Sequence, residues 1–246
     1  MRVLAIFFLL FSSLTAEEFP KWDPVDLVRP ERFDVMAKYI FAWQLNMGIQ
    51  STWGEEIYRE HLRVFNGFYE QEPKKHSYED FRKAFFDVYT SVQNEGGLDR
   101  PLPVSPEGIL VDGSHRLAFC LVNQFEVPCQ QDPMYVGSNF SSEFFRNASP
   151  KGLEERYLDS MAISYCDLKS ESKIVIVFPA AQGKHSDVET LLNTYGKVVY
   201  RKNISFQKEA PWIFTRELYE AEPWLGTWSN QFGGLTAKPQ LVFLRR

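Results

Sequence analysis

Apolar residues recur at intervals of three and four between Glu31 and Trp43, through Phe33, Val35, Met36, Ile40 and Phe41. That is the period of a helix with one buried face, and Pro30 stands just before it. Ser51-Thr52 ahead of Trp53-Gly54-Glu55-Glu56 is start chemistry for a second helix through Tyr58, Leu62 and Phe65, ending near Asn66-Gly67. Ile109-Leu110-Val111 is a short apolar run that reads as a buried strand, and Met134-Tyr135-Val136 as another, ended by Gly137-Ser138-Asn139. Ser149-Pro150 precedes a helix predicted from Leu153 to about Ile163. Lys173 to Phe178 is a continuous β-branched run, as in a strand buried on both faces, and Pro179 stops it. Asp187 to Tyr195 then fits a helix, with Gly196 as its stop, and Lys197 to Lys202 returns as a strand. This predicts a βαβ unit with a right-handed crossover, completed by a helix near 215–222 and a strand from Gln240 to Leu244.

The chemistry concentrates at Asp112-Gly113-Ser114-His115-Arg116. Asp-Gly breaks the strand, and Ser114 is placed to cap a helix carrying Leu117, Ala118, Cys120, Leu121 and Val122. A tight strand-to-helix turn leaves backbone N–H groups aimed at one spot, and the helix dipole favours an anion there. Gly113 permits close backbone approach, and Arg116 adds a fork of donors for phosphate or carboxylate. Asp112 is placed to orient Arg116, accept a substrate proton or help hold a metal ion, and His115 to contact a phosphate or base. The competing reading is a purely structural turn in which Asp112 and Arg116 pair with each other.

A secondary anion-site candidate is Lys184, His185 and Ser186, in a loop leaving a predicted strand. It lacks the first glycine of a Walker motif, and a solvated loop ending in a helix cap is its alternative. Tryptophans beside glycines at Trp224-Leu225-Gly226 and Trp228 are candidates for base or sugar stacking, or core anchors. His61 is a candidate site-lining residue on the second helix.

The order of segments around the turn resembles the ParB/sulfiredoxin superfamily. Its pattern is a helix, here Tyr78 to Gln93; a strand segment, here Gly97 to Val104; the signature Asp112-Gly113-Ser114-His115-Arg116-Leu117-Ala118; and a further strand at Val127-Pro128-Cys129. The resemblance covers roughly residues 76–131. It implies that the loop and helix start bind nucleotide phosphates, with ATP or another nucleotide and Mg2+ as cofactors. In some superfamily kinases carboxylates come from segments upstream of the signature, where this chain has Glu70 and Glu72. Sulfiredoxins carry a cysteine where this chain has Ser114, which excludes sulfinic-acid reduction by that route.

With 246 residues, 21 Phe, 11 Tyr and 6 Trp, the chain can build a substantial core. The net charge of −5 and the lack of a basic run disfavour nucleic acid as a partner. Arg2, the apolar run Val3 to Phe11 and Ser12 to Ala16 ahead of Glu17-Glu18 resemble a secretory signal, too short to span a bilayer. They predict a secreted, periplasmic or secretory-lumen protein with no membrane span once the signal is cleaved. The three cysteines, Cys120, Cys129 and Cys166, make no disulfide scaffold and no zinc spacing.

The expectation is therefore an α+β protein. A signal peptide (1–16) and a helical extension (17–75) lead into a ParB/sulfiredoxin-like module (76–131). A helical connector and C-terminal βαβ module (132–246) follow. The leading function is nucleotide-dependent phosphoryl transfer to a small-molecule or glycan-type acceptor. A non-enzymatic module for anionic or phosphorylated ligands and a ParB-like nuclease are the alternatives.

Overall fold

The computed structural model describes residues 19–169, 172–177, 190, 192–194, 197–203 and 240–245. The predicted leader, the Lys184-His185-Ser186 loop and the tryptophan cluster lie outside the described residues. So does most of the predicted 187–195 helix, whose described positions 190 and 192–194 are helical.

Among the described residues the chain forms an α+β fold. In order it runs β1 (Lys21–Trp22), a 3-10 turn (Pro24–Leu27), α1 (Asp34–Asn46), α2 (Trp53–Asn66), α3 (Tyr78–Glu95), β2 (Leu102–Val104) and α4 (Ser114–Asn123). There follow β3 (Val127–Gln131), α5 (Ser142–Asn147), α6 (Glu155–Leu168), β4 (Ser172–Val177), β5 (Lys197–Asn203) and β6 (Gln240–Arg245). None of the described helices is long and apolar enough to cross a membrane.

Local chemistry accounts for the helix ends. Ser51 Oγ accepts the Trp53 N–H at the start of α2, and Gly67 closes that helix in the left-handed region at φ 62°. Ser77 Oγ accepts the Asp80 N–H at 3.2 Å to open α3, and Gly96 ends it at φ 63°.

Helix α1 is the hub. It packs against α4, α2 and α6, which is why it is buried on nearly every side. The α1–α2 approach is close enough that Gly54 N–H donates to Gln44 Oε1 at 2.5 Å. Beside it, Phe41 stacks on Phe85 at 4.6 Å between ring centroids, and Phe85 meets Tyr58 at 4.9 Å and Phe119 at 4.8 Å. This aromatic cluster joins α1, α2, α3 and α4 by dispersion and area burial.

Strand β3 lies between β1 and β2, antiparallel to the first and parallel to the second. Parallel β2 and β3 are connected through α4, so the site-bearing helix is the crossover of a βαβ unit. The second sheet has the order β4-β6-β5. Here the sequence reading needs correction. β4 and β5 do run in the same direction, but they are not neighbours: β6 lies between them and pairs antiparallel with both. Three other expectations are also revised. Ile109–Val111 contributes only an isolated bridge, Leu110 to Val104, rather than a strand. Met134–Val136 leaves an Asp132 turn with Met134 and Val136 exposed. α5 is a helix the pattern did not announce, capped by Ser141.

Candidate functional site

The turn entering α4 forms at Asp112-Gly113. Gly113 adopts φ 90°, a conformation costly for any residue with a Cβ, and stands at the helix N-cap position. Ser114 is the first helical residue, and no side chain caps the helix, so the expected Ser114 cap does not form. Leu117 N–H takes the Gly113 carbonyl at 2.9 Å as the first helical bond. The preceding amides, of Ser114, His115 and Arg116, begin the helix without a capping side chain.

Arg116 folds back over the turn. A Cβ placed on Gly113 would lie 2.8 Å from Arg116 Nη2 and 2.6 Å from Leu102 Cδ2, so the guanidinium and the leucine methyl would have to shift to make room for one. The guanidinium is largely buried, and Nη1 is sealed from solvent without a hydrogen-bond partner. Its nearest carboxylate, Asp112, is 3.9 Å away and 84 % exposed, beyond hydrogen-bond range. Burial first, then the neighbouring positive charge of Arg100, lower the pKa of Arg116, and Asp112 and Asp99 only partly oppose them. Arg100 was not singled out by its sequence context. Only the fold brings it near Arg116.

His115 points to the other side of the turn. Its ring lies edge-on to Tyr58 and Phe85, and Nε2 is 2.9 Å from Tyr58 Oη. Tyr58 also reaches the Phe81 carbonyl at 3.3 Å. A phenol has one proton; if it goes to that carbonyl, the tyrosine oxygen accepts Nε2–H and Nδ1 carries the free lone pair. Burial, then Lys38 and Lys75, hold the imidazole well below its usual pKa, so it is neutral at pH 7. A short bridge between Glu70 and Lys75 places those residues on this flank, with the Lys75 ammonium paired to Glu70 and lying over the Phe81 ring. Glu72 stays exposed at the tip of that loop.

Behind the turn lies a charged cluster that sequence reasoning missed. Asp34, fully buried at the start of α1, receives Arg32 Nε at 2.8 Å and Nη2 at 3.0 Å, and Lys38 Nζ at 2.8 Å. Arg32 Nη1 also donates to the carbonyls of Leu110 and of Val111, the latter at 3.2 Å, on the two residues just before Asp112. Burial alone would raise the Asp34 carboxyl, but Lys38 and Arg32 outweigh it and hold it far below the usual carboxylate range. His61, likewise 0 % exposed, sits in the same cluster with neither ring nitrogen hydrogen-bonded. Burial, then Lys38, keep it neutral.

The structure thus brings Gly113, Ser114, Arg116 and Asp112 to one turn and sends the His115 ring to its inner flank. Lys184, His185 and Ser186 lie outside the described residues. Among the described residues no group of three or more His, Cys, Asp or Glu side chains is placed to hold a metal ion. The thiols of Cys120 and Cys129 are free, and burial pushes Cys120 up to about 12 and Cys129 up to about 11. Comparison with protein families, with curated proteins and with solved structures finds no match.

Proposed function

We propose that the chain binds phosphate or a nucleotide at the Asp112–Arg116 turn. One observation carries this reading: the largely buried guanidinium of Arg116, folded onto a helix start, has Nη1 sealed from solvent with no hydrogen-bond partner among the described residues. Guanidinium donors left unpaired are costly, and an anion on the Gly113–Arg116 amides would satisfy them. The second arginine, Arg100, adds positive potential at the same place.

The finer reading is phosphoryl transfer within a ParB/sulfiredoxin-like module. Parallel β2 and β3 joined through α4 agree with that module's order. A nucleotide-borne magnesium ion needs only one or two protein carboxylates, and Asp112 is the one at the turn. The neutral His115, held by Tyr58, can accept a hydrogen bond from an acceptor hydroxyl, but burial makes it a weak base, so Asp112 at the turn is the residue placed to take the proton. The −5 charge favours a small ligand over nucleic acid. The signal-like pattern of residues 1–16 supports a secreted or lumenal setting for this activity.

The test is thermal unfolding against inorganic phosphate, ATP, ADP and CTP, with and without magnesium, on the wild type and Arg116→Ala. A ligand at a hundredfold excess over Kd stabilises by about 2.7 kcal/mol. The expected result is stabilisation in the wild type that Arg116→Ala abolishes. No response to any anion, or an equal response in the variant, overturns the reading.

A further inference from the structure

The Arg32–Asp34–Lys38 cluster sets two cations against one carboxylate, all three at most 4 % exposed. A buried ion pair can be electrically neutral, but this triad has one positive charge left over. Surplus buried charge opposes folding. The fold softens this cost with the Asp34, Leu110 and Val111 carbonyls, and with the Phe65 and Phe140 rings near Lys38 and Arg32. None of these carries the missing negative charge.

The position of the triad gives that surplus a use. Arg32 holds the two carbonyls immediately before Asp112, so it fixes the backbone from which the α4 amides project. Asp112, at the turn itself, is close enough to be felt by both Arg32 and Lys38. His61 adds two unpaired ring nitrogens, fully buried, within the field of Lys38, Asp34 and His115. Exposed Asp112 offsets the surplus only in part, and an anion at the turn would supply the rest.

We propose that the Arg32–Asp34–Lys38 triad is the inner wall of the phosphate site, with Arg32 positioning the turn and the unpaired charge carried by Lys38 strengthening anion binding at the expense of fold stability. The inference rests on the turn being the anion site. It adds that the helical segment before residue 75 is part of that site, and it assigns the ligand as a phosphate-type anion rather than a neutral molecule.

The discriminating substitution is Lys38→Met. It leaves the two Arg32–Asp34 hydrogen bonds and both carbonyl contacts in place and makes the cluster neutral. Calorimetric titration with inorganic phosphate, with ATP in parallel to separate free from nucleotide-borne phosphate, should show affinity weakened by roughly 2- to 15-fold. That is the Coulomb range for unit charges on the order of 10 Å apart, from water-like to protein-surface screening. The melting temperature should stay level or rise. A purely structural ion pair gives the opposite pattern: a lower melting temperature with unchanged affinity, which overturns the proposal. Lys38→Gln repeats the test with a polar side chain. If neither variant folds, the ammonium is a requirement of α1 and the proposal also fails. If the wild type binds no phosphate, the turn reading fails and this inference with it. Wild-type binding that Arg116→Ala abolishes but Lys38→Met leaves intact refutes the inner wall alone.

Discussion

Two neutral histidines held inside the same cluster make stability fall as the solution is acidified, by an amount set by counting protons. His61 and His115 both have pKa values well below the ordinary 6.5, burial being the first cause and Lys38 the second. In the unfolded chain each takes up a proton near pH 6.5; in the folded chain neither does until the pH is far lower. The unfolded state therefore binds more protons below 6.5, and stability drops as pH falls through that value. Above it the contribution is fully present. Between pH 7.5 and 5.5 each histidine removes about 1.4 kcal/mol, so the pair removes about 2.7 kcal/mol. The loss continues until the folded-state values are reached. Its slope depends on the number of protons and not on how far the pKa values are lowered. Asp34, held far below the carboxylate range, acts in a separate window below about pH 4 and does not contribute here. Urea unfolding at pH 7.5, 6.5 and 5.5 measures the loss. His61→Phe, beside Phe65 and Phe145, replaces the ring with one that cannot titrate and should halve the slope. Stability that is flat between pH 7.5 and 5.5, or a slope unchanged in His61→Phe, would refute the argument.

Gly113→Ala should lower stability by about 1–3 kcal/mol from the positive φ alone, and it should also weaken phosphate stabilisation, because the new Cβ would lie 2.8 Å from Arg116 Nη2 and displace the guanidinium. Chemical denaturation and a phosphate titration check both parts; a variant of native stability that still binds would contradict the close approach. Gly54→Ala gains about 1 kcal/mol of helix propensity yet should destabilise by about 1–3 kcal/mol net, because its Cβ would stand 3.0 Å from Phe41 Cα on α1. A stabilised Gly54→Ala would show that the α1–α2 approach is not tight.

Much of the fold was legible because its signals are local. Helix periodicity with Ser51 and Gly67 as punctuation located α2, the resembling order of segments located α3, and Asp-Gly marked the entry to α4. Sheet order was not legible. β4 and β5 were recognisable as strands, but the insertion of β6 between them is a pairing between distant segments, decided by which edges meet once the chain is packed. At the site, residue types at Gly113 and Arg116 marked the turn and the arginine that folds onto it, while the helix cap fell on Gly113 rather than Ser114. The sequence pattern of the α1 segment gave Arg32, Asp34 and Lys38 no role. Asp34 and Lys38 are four apart and so share a face, but nothing local says that the face is buried or that Arg32 reaches carbonyls 78 and 79 residues along.

The sequence by itself therefore determined most of the helices, the glycine that ends α2 and the Asp-Gly turn, because propensity, capping and the sign of φ act over a few residues. Only the tertiary structure decided that Arg116 Nη1 would be buried without a hydrogen bond among the described residues, that Arg100 would stand beside it and that a charged triad would close the turn from behind. Burial and electrostatics depend on what packs around a group, and those neighbours come from distant parts of the chain.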